Sequence, residues 1–254
     1  MIPTSRRDHP ERREVRLPEV EGSHVHNMKH VAYFGSPGSF SHMAADAYFQ
    51  NEIDSEFYSS LYARVKTRKT RQLLHKVDMI SHTALSTLFK SIADGENRFG
   101  VVPLENSTTG SIAATYDGIL SSRLSLSGEV LLHIHHHLLG KTKGKKAREI
   151  TACYSHPAAI SQCDRFFKNH PGMTPKFTSD TASAAKEAGE AKSDTVAAIA
   201  SRLASHLYHL TIMKESIEDN KNNFTRFGII EKRKNTEGEK MSIGSTQASG
   251  EQGS

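Results

Sequence analysis

Phe99-Gly100-Val101-Val102-Pro103-Leu104 runs straight into Glu105-Asn106-Ser107-Thr108-Thr109-Gly110-Ser111. The first part is a short apolar run, the mark of a buried strand. The second packs an acid and five side-chain hydrogen-bonding residues into seven positions. Ile112–Leu120 follows, with Ile112, Ala113, Tyr116 and Leu120 on one helical face. Strand, polar turn and helix in succession make one unit of an α/β sheet, in which ligands sit beyond the carboxyl ends of strands.

The same grammar recurs on both sides. Upstream, Val31–Phe34 is a strand, Gly35-Ser36-Pro37-Gly38 a turn, and Ser39-Phe40-Ser41 opens a helix that reaches Phe49. Free N–H groups and the helix dipole at that start suit a carboxylate or phosphate. No Gly-Lys-Ser/Thr follows, so the turn is not a P-loop. Thr83–Ala93 is helical and stops at Asp94-Gly95. Downstream, Val130–Leu139 reads as one strand, and Ile150–Tyr154 as another that leads through Ser155-His156 into a helix from Pro157. Asp180 caps a helix over Thr181–Ala188, and Val196–Ile199 is a strand. Asn223-Phe224-Thr225-Arg226-Phe227 opens the last strand. Alternation sends Thr225 and Phe227 to one face and Arg226 to the other. The hydroxyl and the cation therefore share a pocket only if this strand starts with a twist.

The rest of the composition narrows the class. The 254 residues are 36% hydrophobic and 24% charged, a soluble globular mixture of one or two domains. No apolar run approaches the ~20 residues of a membrane span. Cys153 and Cys163 are too few for a disulfide framework or a four-cysteine zinc site, and read as buried thiols in a reducing compartment. The net charge of +5 is concentrated between Ser59 and Val77, in Arg64, Lys66, Arg68, Lys69, Arg71 and Lys76. Clustered cations can bind phosphates, but no aromatic interleaving accompanies them, so this stretch reads as a solvated basic face and not a nucleic-acid site. Lys141–Arg148 reads as an exposed turn. Residues 1–29 and 233–254 have almost nothing to bury and read as disordered ends. Residues 1–29 also lack the apolar core of a secretory signal, and their acids argue against a transit peptide. His133, His135 and His137 share one strand face and are of the right type for zinc. No carboxylate or cysteine lies nearby in sequence, so a partly exposed strand face is the better reading and no metal is expected.

Taken together the polar motifs closely resemble those of the prephenate dehydratases. The family's Gly-Pro-x-Gly-Thr-Phe-Ser stands here as Gly35-Ser36-Pro37-Gly38-Ser39-Phe40-Ser41, and its Gly-Val-Val-Pro-Ile-Glu-Asn-Ser-Thr-Glu-Gly-Ser as Gly100–Ser111. Its Tyr-Ser-His-Pro-Gln stands as Tyr154-Ser155-His156-Pro157-Ala158, and its Asn-x-Thr-Arg-Phe is intact at Asn223–Phe227. The resemblance spans roughly residues 30–232. It implies a two-lobed α/β fold like a type II periplasmic binding protein, each lobe a mostly parallel sheet flanked by helices. Residues 30–105 with 202–232 would form one lobe and 106–201 the other.

The activity it implies is the decarboxylating dehydration of prephenate to phenylpyruvate in phenylalanine synthesis. The enzyme would be cytoplasmic and homo-oligomeric, without metal or organic cofactor. Thr225, Asn223 and Arg226 would be catalytic, Thr225 easing the hydroxyl off the ring. Ser39, Phe40, Ser41, Glu105, Asn106, Ser107, Thr108, Ser155, His156 and Phe227 would bind the substrate. Alternatives are an arogenate dehydratase and a non-catalytic two-lobed binder of small acids. Ala158 and Thr109 depart from the family's Gln and Glu, and about 25 residues around Asn51–His75 look inserted. The family's phenylalanine-binding ACT domain has no counterpart in residues 233–254, so the expectation is an enzyme without that feedback.

Overall fold

The structure, a computed structural model, describes residues 30–49, 64–67, 77–141 and 146–233. The expected disordered ends and most of the basic stretch lie outside these residues. So do residues 142–145 of the expected exposed turn.

Two sheets divide the described chain. The first holds β1 (His30–Phe34), β2 (Arg64–Thr67), β3 (Asp78–His82), β4 (Phe99–Asn106), β6 (Leu124–His133) and β12 (Phe224–Lys232), in the order β2-β6-β12-β4-β1-β3. Short β5 (Gly110–Ser111) hangs from β4. The second is ordered β11-β7-β10-β8-β9, from β7 (His137–Gly140), β8 (Ala152–Ser155), β9 (Thr174–Phe177), β10 (Val196–Ala200) and β11 (Thr211–Lys214).

The period of two along each strand builds two cores on the first sheet. Val31, Tyr33 and Val101 bury one face against Met43, Ala44 and Ala45 of helix α1 (Phe40–Phe49). Ala32, Val102 and Leu104 bury the other against Leu88, Phe89 and Ile92 of α2 (Leu85–Ala93), beside α3 (Ala113–Ser121). On the second sheet Leu139, Ala198 and Ala200 pack beneath Ala184, Ala185 and Ala188 of α6 (Thr181–Glu190). Alanines on both sides let helix and sheet approach closely. The opposite face buries Cys153 and Cys163 as free thiols, whose ionisation is pushed well up by burial. Short helices α4 (Pro157–Ser161), α5 (Asp164–Lys168) and α7 (Arg202–Leu207) complete this lobe. Among the described residues no helix is long and apolar enough to cross a membrane.

The two-lobed α/β class is the expected one, with three differences. The sheets are mixed rather than mostly parallel: β1 pairs with β3 and β4 in parallel, whereas β4–β12, β12–β6 and β6–β2 are antiparallel. Second, Val130–Leu139 is not one strand. It breaks at residues 134–136, and its halves, β6 and β7, belong to different sheets. No glycine, proline or other turn residue stands at the break, which falls within the histidine run His133–His137, so the sequence pattern did not reveal it. What ends the ladder is a carboxylate, since the His136 N–H donates to Glu218 Oε2 at 2.9 Å. Third, the lobe boundaries move. β6 returns to the first sheet after α3, and α7 with β11 stays with the second. The chain therefore crosses near residues 134–136 and 215–223, not at 105/106 and 201/202.

Candidate active site

The β4–β12 ladder places the first group. Its antiparallel register sets Thr225 opposite Asn106 and Arg226 opposite Glu105. Alternation then sends the two pairs to opposite faces. On the α1 face, Asn106 Oδ1 accepts from the backbone N–H groups of Thr108 (2.9 Å) and Thr109 (3.1 Å). Those donors cannot be reassigned, so they fix the orientation of the amide. Asn106 Nδ2 must then be the donor, and it reaches Asn223 Oδ1 and Thr225 Oγ1, each at 2.8 Å. The Thr225 oxygen is thus used as an acceptor, and among the described residues no acceptor takes its own proton. Ser107 fastens the loop: its hydroxyl donates to Asn222 O at 3.0 Å and accepts from the Phe224 N–H at 2.9 Å.

Gln162, just past α4 in the other lobe, continues the chain. Its Oε1 accepts from Asn223 Nδ2 at 3.0 Å and lies 2.8 Å from His136 Nε2. His136 sits in the first crossover and stands edge-on to the Phe40 ring, with centroids 5.6 Å apart. The polar chain Thr225–Asn106–Asn223–Gln162–His136 therefore runs from the first sheet into the second lobe. Thr225 is 8% exposed and Asn223 1%. The hydroxyl is therefore largely covered, close to where Asn223 and Gln162 join the two lobes.

That meeting is made by the Gly35–Ser41 turn. Ser36 Oγ donates to Asp180 Oδ2 at 2.7 Å, Ser201 Oγ to Gly38 O at 2.6 Å, and Tyr208 OH to Pro37 O at 2.8 Å. Gly38 has φ +89°, and a Cβ there would lie 3.0 Å from Ala204 Cα, so glycine is needed both for the turn and for the close approach. Inside α1, His42 stacks on Tyr33 with centroids 4.5 Å apart, and Asp46 lies 3.8 Å from its Nε2. Burial lowers His42 to about 4 and raises Asp46 to about 7, so both are held neutral near pH 6.

Several expected site residues lie elsewhere. Arg226 is on the α3 face, where it binds Glu105 (3.0 Å), Glu129 (2.7 Å) and Tyr116 OH (2.9 Å). Arg226 and Glu105 therefore neutralise each other away from Thr225, and the twist that would have united hydroxyl and cation does not occur. Phe227 is 2% exposed and packs in the α1 core. Ser155 is fully buried, its hydroxyl donating to Ile199 O at 2.7 Å. His156 caps α4, accepting from the Ala158 N–H. Ser39 Oγ closes its own turn on Phe34 O, Ser41 is buried, and the Thr108 side chain is exposed.

The histidine run acts as lacing between the two crossovers. His133 Nε2 lies 2.6 Å from Lys221 O, His135 Nδ1 lies 3.1 Å from Glu218 Oε1, and His137 Nδ1 accepts from the Ser216 N–H at 3.1 Å. Among the described residues no group of three His, Cys, Asp or Glu could hold a metal ion. Burial alone would raise the Glu218 carboxyl. The hydrogen bonds from His135, the His136 N–H and its own backbone, with Lys221 beside it, overcome that and pull it down to about 2.

Gln162 and His136 were not anticipated from the sequence. Gln162 had a signal: it lies one helical turn beyond Ala158, on the face where the departed motif glutamine would stand.

A two-lobed α/β protein with a hydrogen-bonded polar chain at the crossing of its lobes is the class these features define. The comparisons fall in it. The prephenate dehydratase family model matches residues 66–235. The bifunctional chorismate mutase/prephenate dehydratase of Pseudomonas aeruginosa is 37% identical over 203 residues, covering 79% of this chain and 48% of that protein. Two solved structures, each 24% identical, share the fold. One, described as a novel type of quorum quenching acylase (GqqA), has a TM-score of 0.65 over 82% of this chain and 66% of that one. The other, the prephenate dehydratase of Arthrobacter aurescens in complex with L-Phe, has a TM-score of 0.64 over 81% and 60%. The chain belongs to the prephenate dehydratase family. It spans about half the length of the curated relatives it matches.

Proposed function

We propose that this chain catalyses the decarboxylating dehydration of prephenate to phenylpyruvate. The observation that carries this reading is the 2.8 Å bond from Asn106 Nδ2 to Thr225 Oγ1. It occupies the threonine oxygen and leaves its proton to be given. In the reaction the ring carboxylate departs as carbon dioxide, and the C–C bonding pair enters the ring. The C–O bond breaks at the far carbon, and the electrons leave on oxygen as hydroxide. Aromatisation drives the change. The site needs chiefly to hold a dianion and stabilise the departing oxygen, which a preorganised hydroxyl donor in a dry cleft does. The family match and the relatives' names support the substrate. Helix α1, opening at Phe40, supplies backbone N–H groups for a carboxylate. The reading carries with it a homo-oligomer working in the cytoplasm, as the family resemblance implies.

The test is phenylpyruvate formation by the purified chain from prephenate, with arogenate assayed beside it, for wild type, Thr225→Ala and Thr225→Ser. Removing one transition-state donor should lower kcat by about 10²–10³ in the alanine variant, with serine keeping part of the rate. Equal rates for alanine and wild type overturn the role of Thr225. No turnover of prephenate by wild type overturns the function.

A further inference from the structure

His136 is 3% exposed, and its Nδ1 is buried with no hydrogen-bond partner among the described residues. The polar chain explains which nitrogen carries the proton. Backbone N–H groups make Asn106 Oδ1 an acceptor, so Asn106 Nδ2 donates, Asn223 Oδ1 accepts and Asn223 Nδ2 donates in turn. Gln162 Oε1 is therefore an acceptor, and the His136 nitrogen 2.8 Å away must be the N–H. The bare Nδ1 is then a lone pair, which is cheaper to bury unpaired than an N–H would be. Burial also holds this imidazole neutral by lowering its basicity. Two donors on one oxygen make the Gln162 amide one-way, because a flip would set its NH2 against both. No bond within the protein takes up Gln162 Nε2 among the described residues, and Gln162 is only half-buried.

We propose that His136 is a positioning residue: as the Nε2–H imidazole it locks Gln162 with its NH2 presented to the substrate. The role rests on the function proposed above. The imidazole touches no reacting atom and acts through Gln162. Because the ring also packs on Phe40, it ties that amide to the start of α1 as well.

Three measurements test it. Long-range ¹H–¹⁵N correlation should show His136 as the Nε2-protonated tautomer, and an Nδ1-protonated ring overturns the proposal whatever the chain catalyses. In the assay, His136→Gln, whose amide can reach as far as Nε2, should keep kcat within about threefold. His136→Leu and the shorter His136→Asn should lose tenfold or more in kcat with less change in KM, the size of one misplaced donor. In a Gln162→Met background the His136→Leu loss should shrink to less than about twofold. Losses that simply multiply, or equal losses for Gln and Asn, mean a structural role and overturn the proposal. Should the leucine variant fail to fold, the Gln–Asn comparison and the tautomer decide. A wild type inactive on prephenate removes the proposed function, while the tautomer still judges the lock.

Discussion

Glu105 and Asn106 are neighbours on one strand, and Arg226 and Thr225 are neighbours on the strand beside it, yet the two pairs live in different chemical worlds. On the α3 face, Arg226 meets Glu105 and Glu129 with side-chain exposures of 34%, 47% and 29%. Charges there are partly solvated, mutually neutralised and worth little individually. On the α1 face, Asn106 and Thr225 are neutral, and the Asn106 amide has spent every proton and its oxygen on fixed partners. A single register decides which pair is which. The charged pair joins the strands, and the neutral pair keeps one proton, that of Thr225, with no acceptor among the described residues. A strongly charged motif residue is therefore not by its charge a catalytic one.

The sharpest way to break this contrast is to cut the neutral face. Asn106→Leu removes the amide that orients Thr225 and should lower kcat by about 10²-fold, read from phenylpyruvate formation with the fold checked by circular dichroism. A rate near wild type would mean that Thr225 is oriented some other way. Next comes the lacing. Glu218→Gln takes the charge from three hydrogen bonds and should cost about 2 kcal/mol in urea unfolding at neutral pH. Its folded value of about 2 lies below the ordinary 4.5, so the stability it adds is present above pH 4.5 and lost as pH falls through about 2. The gap between variant and wild type should accordingly narrow from pH 5 towards pH 2.

The charged face is the weaker lever. Arg226→Met should cost about 1 kcal/mol of stability and change kcat less than about threefold. A hundredfold loss of kcat would return Arg226 to the site and overturn the division of faces. A last test concerns Asp46, behind the neutral face. Its folded value of about 7 lies above the ordinary 3.8, so the stability linked to its proton is complete below pH 3.8 and is lost as pH rises through about 7. Asp46→Asn should therefore gain in Tm relative to wild type between pH 4 and pH 8. A gain that shrinks over that range would mean the carboxyl is ionised in the fold.

Much of this was legible in the residues, and the exceptions are instructive. The strand–turn–helix grammar located β1 with α1, β4 with its polar loop, and β8 with α4, because each rests on local signals: an apolar run, a turn residue, a cap. Sheet membership was not legible. It depends on long-range pairing, as when β6 returns beside β12 and β11 adds beside β7. The break at residues 134–136 was hidden because its cause, Glu218, lies 82 positions away along the chain. Motif chemistry singled out Thr225 and Asn106, but their hydrogen bond follows from the register and not from the motif. The face of Arg226 and Glu105 was not legible either, since a charge in a motif says nothing of the side of the sheet it occupies. Gln162 stands outside the altered motif, one helical turn beyond Ala158, and only the helix brings it to the same face.

Ser36 stands where the family's first motif has proline, and here its hydroxyl hooks Asp180 and Ser183 from the facing lobe. Proline in that place has no hydroxyl to offer. The turn thus meets the facing lobe through small hydroxyl contacts, each worth little net because water can replace it, while the crossovers are tied by the histidine run. One seam between the lobes is therefore held by a residue that the family pattern does not carry, so this contact is particular to the present chain.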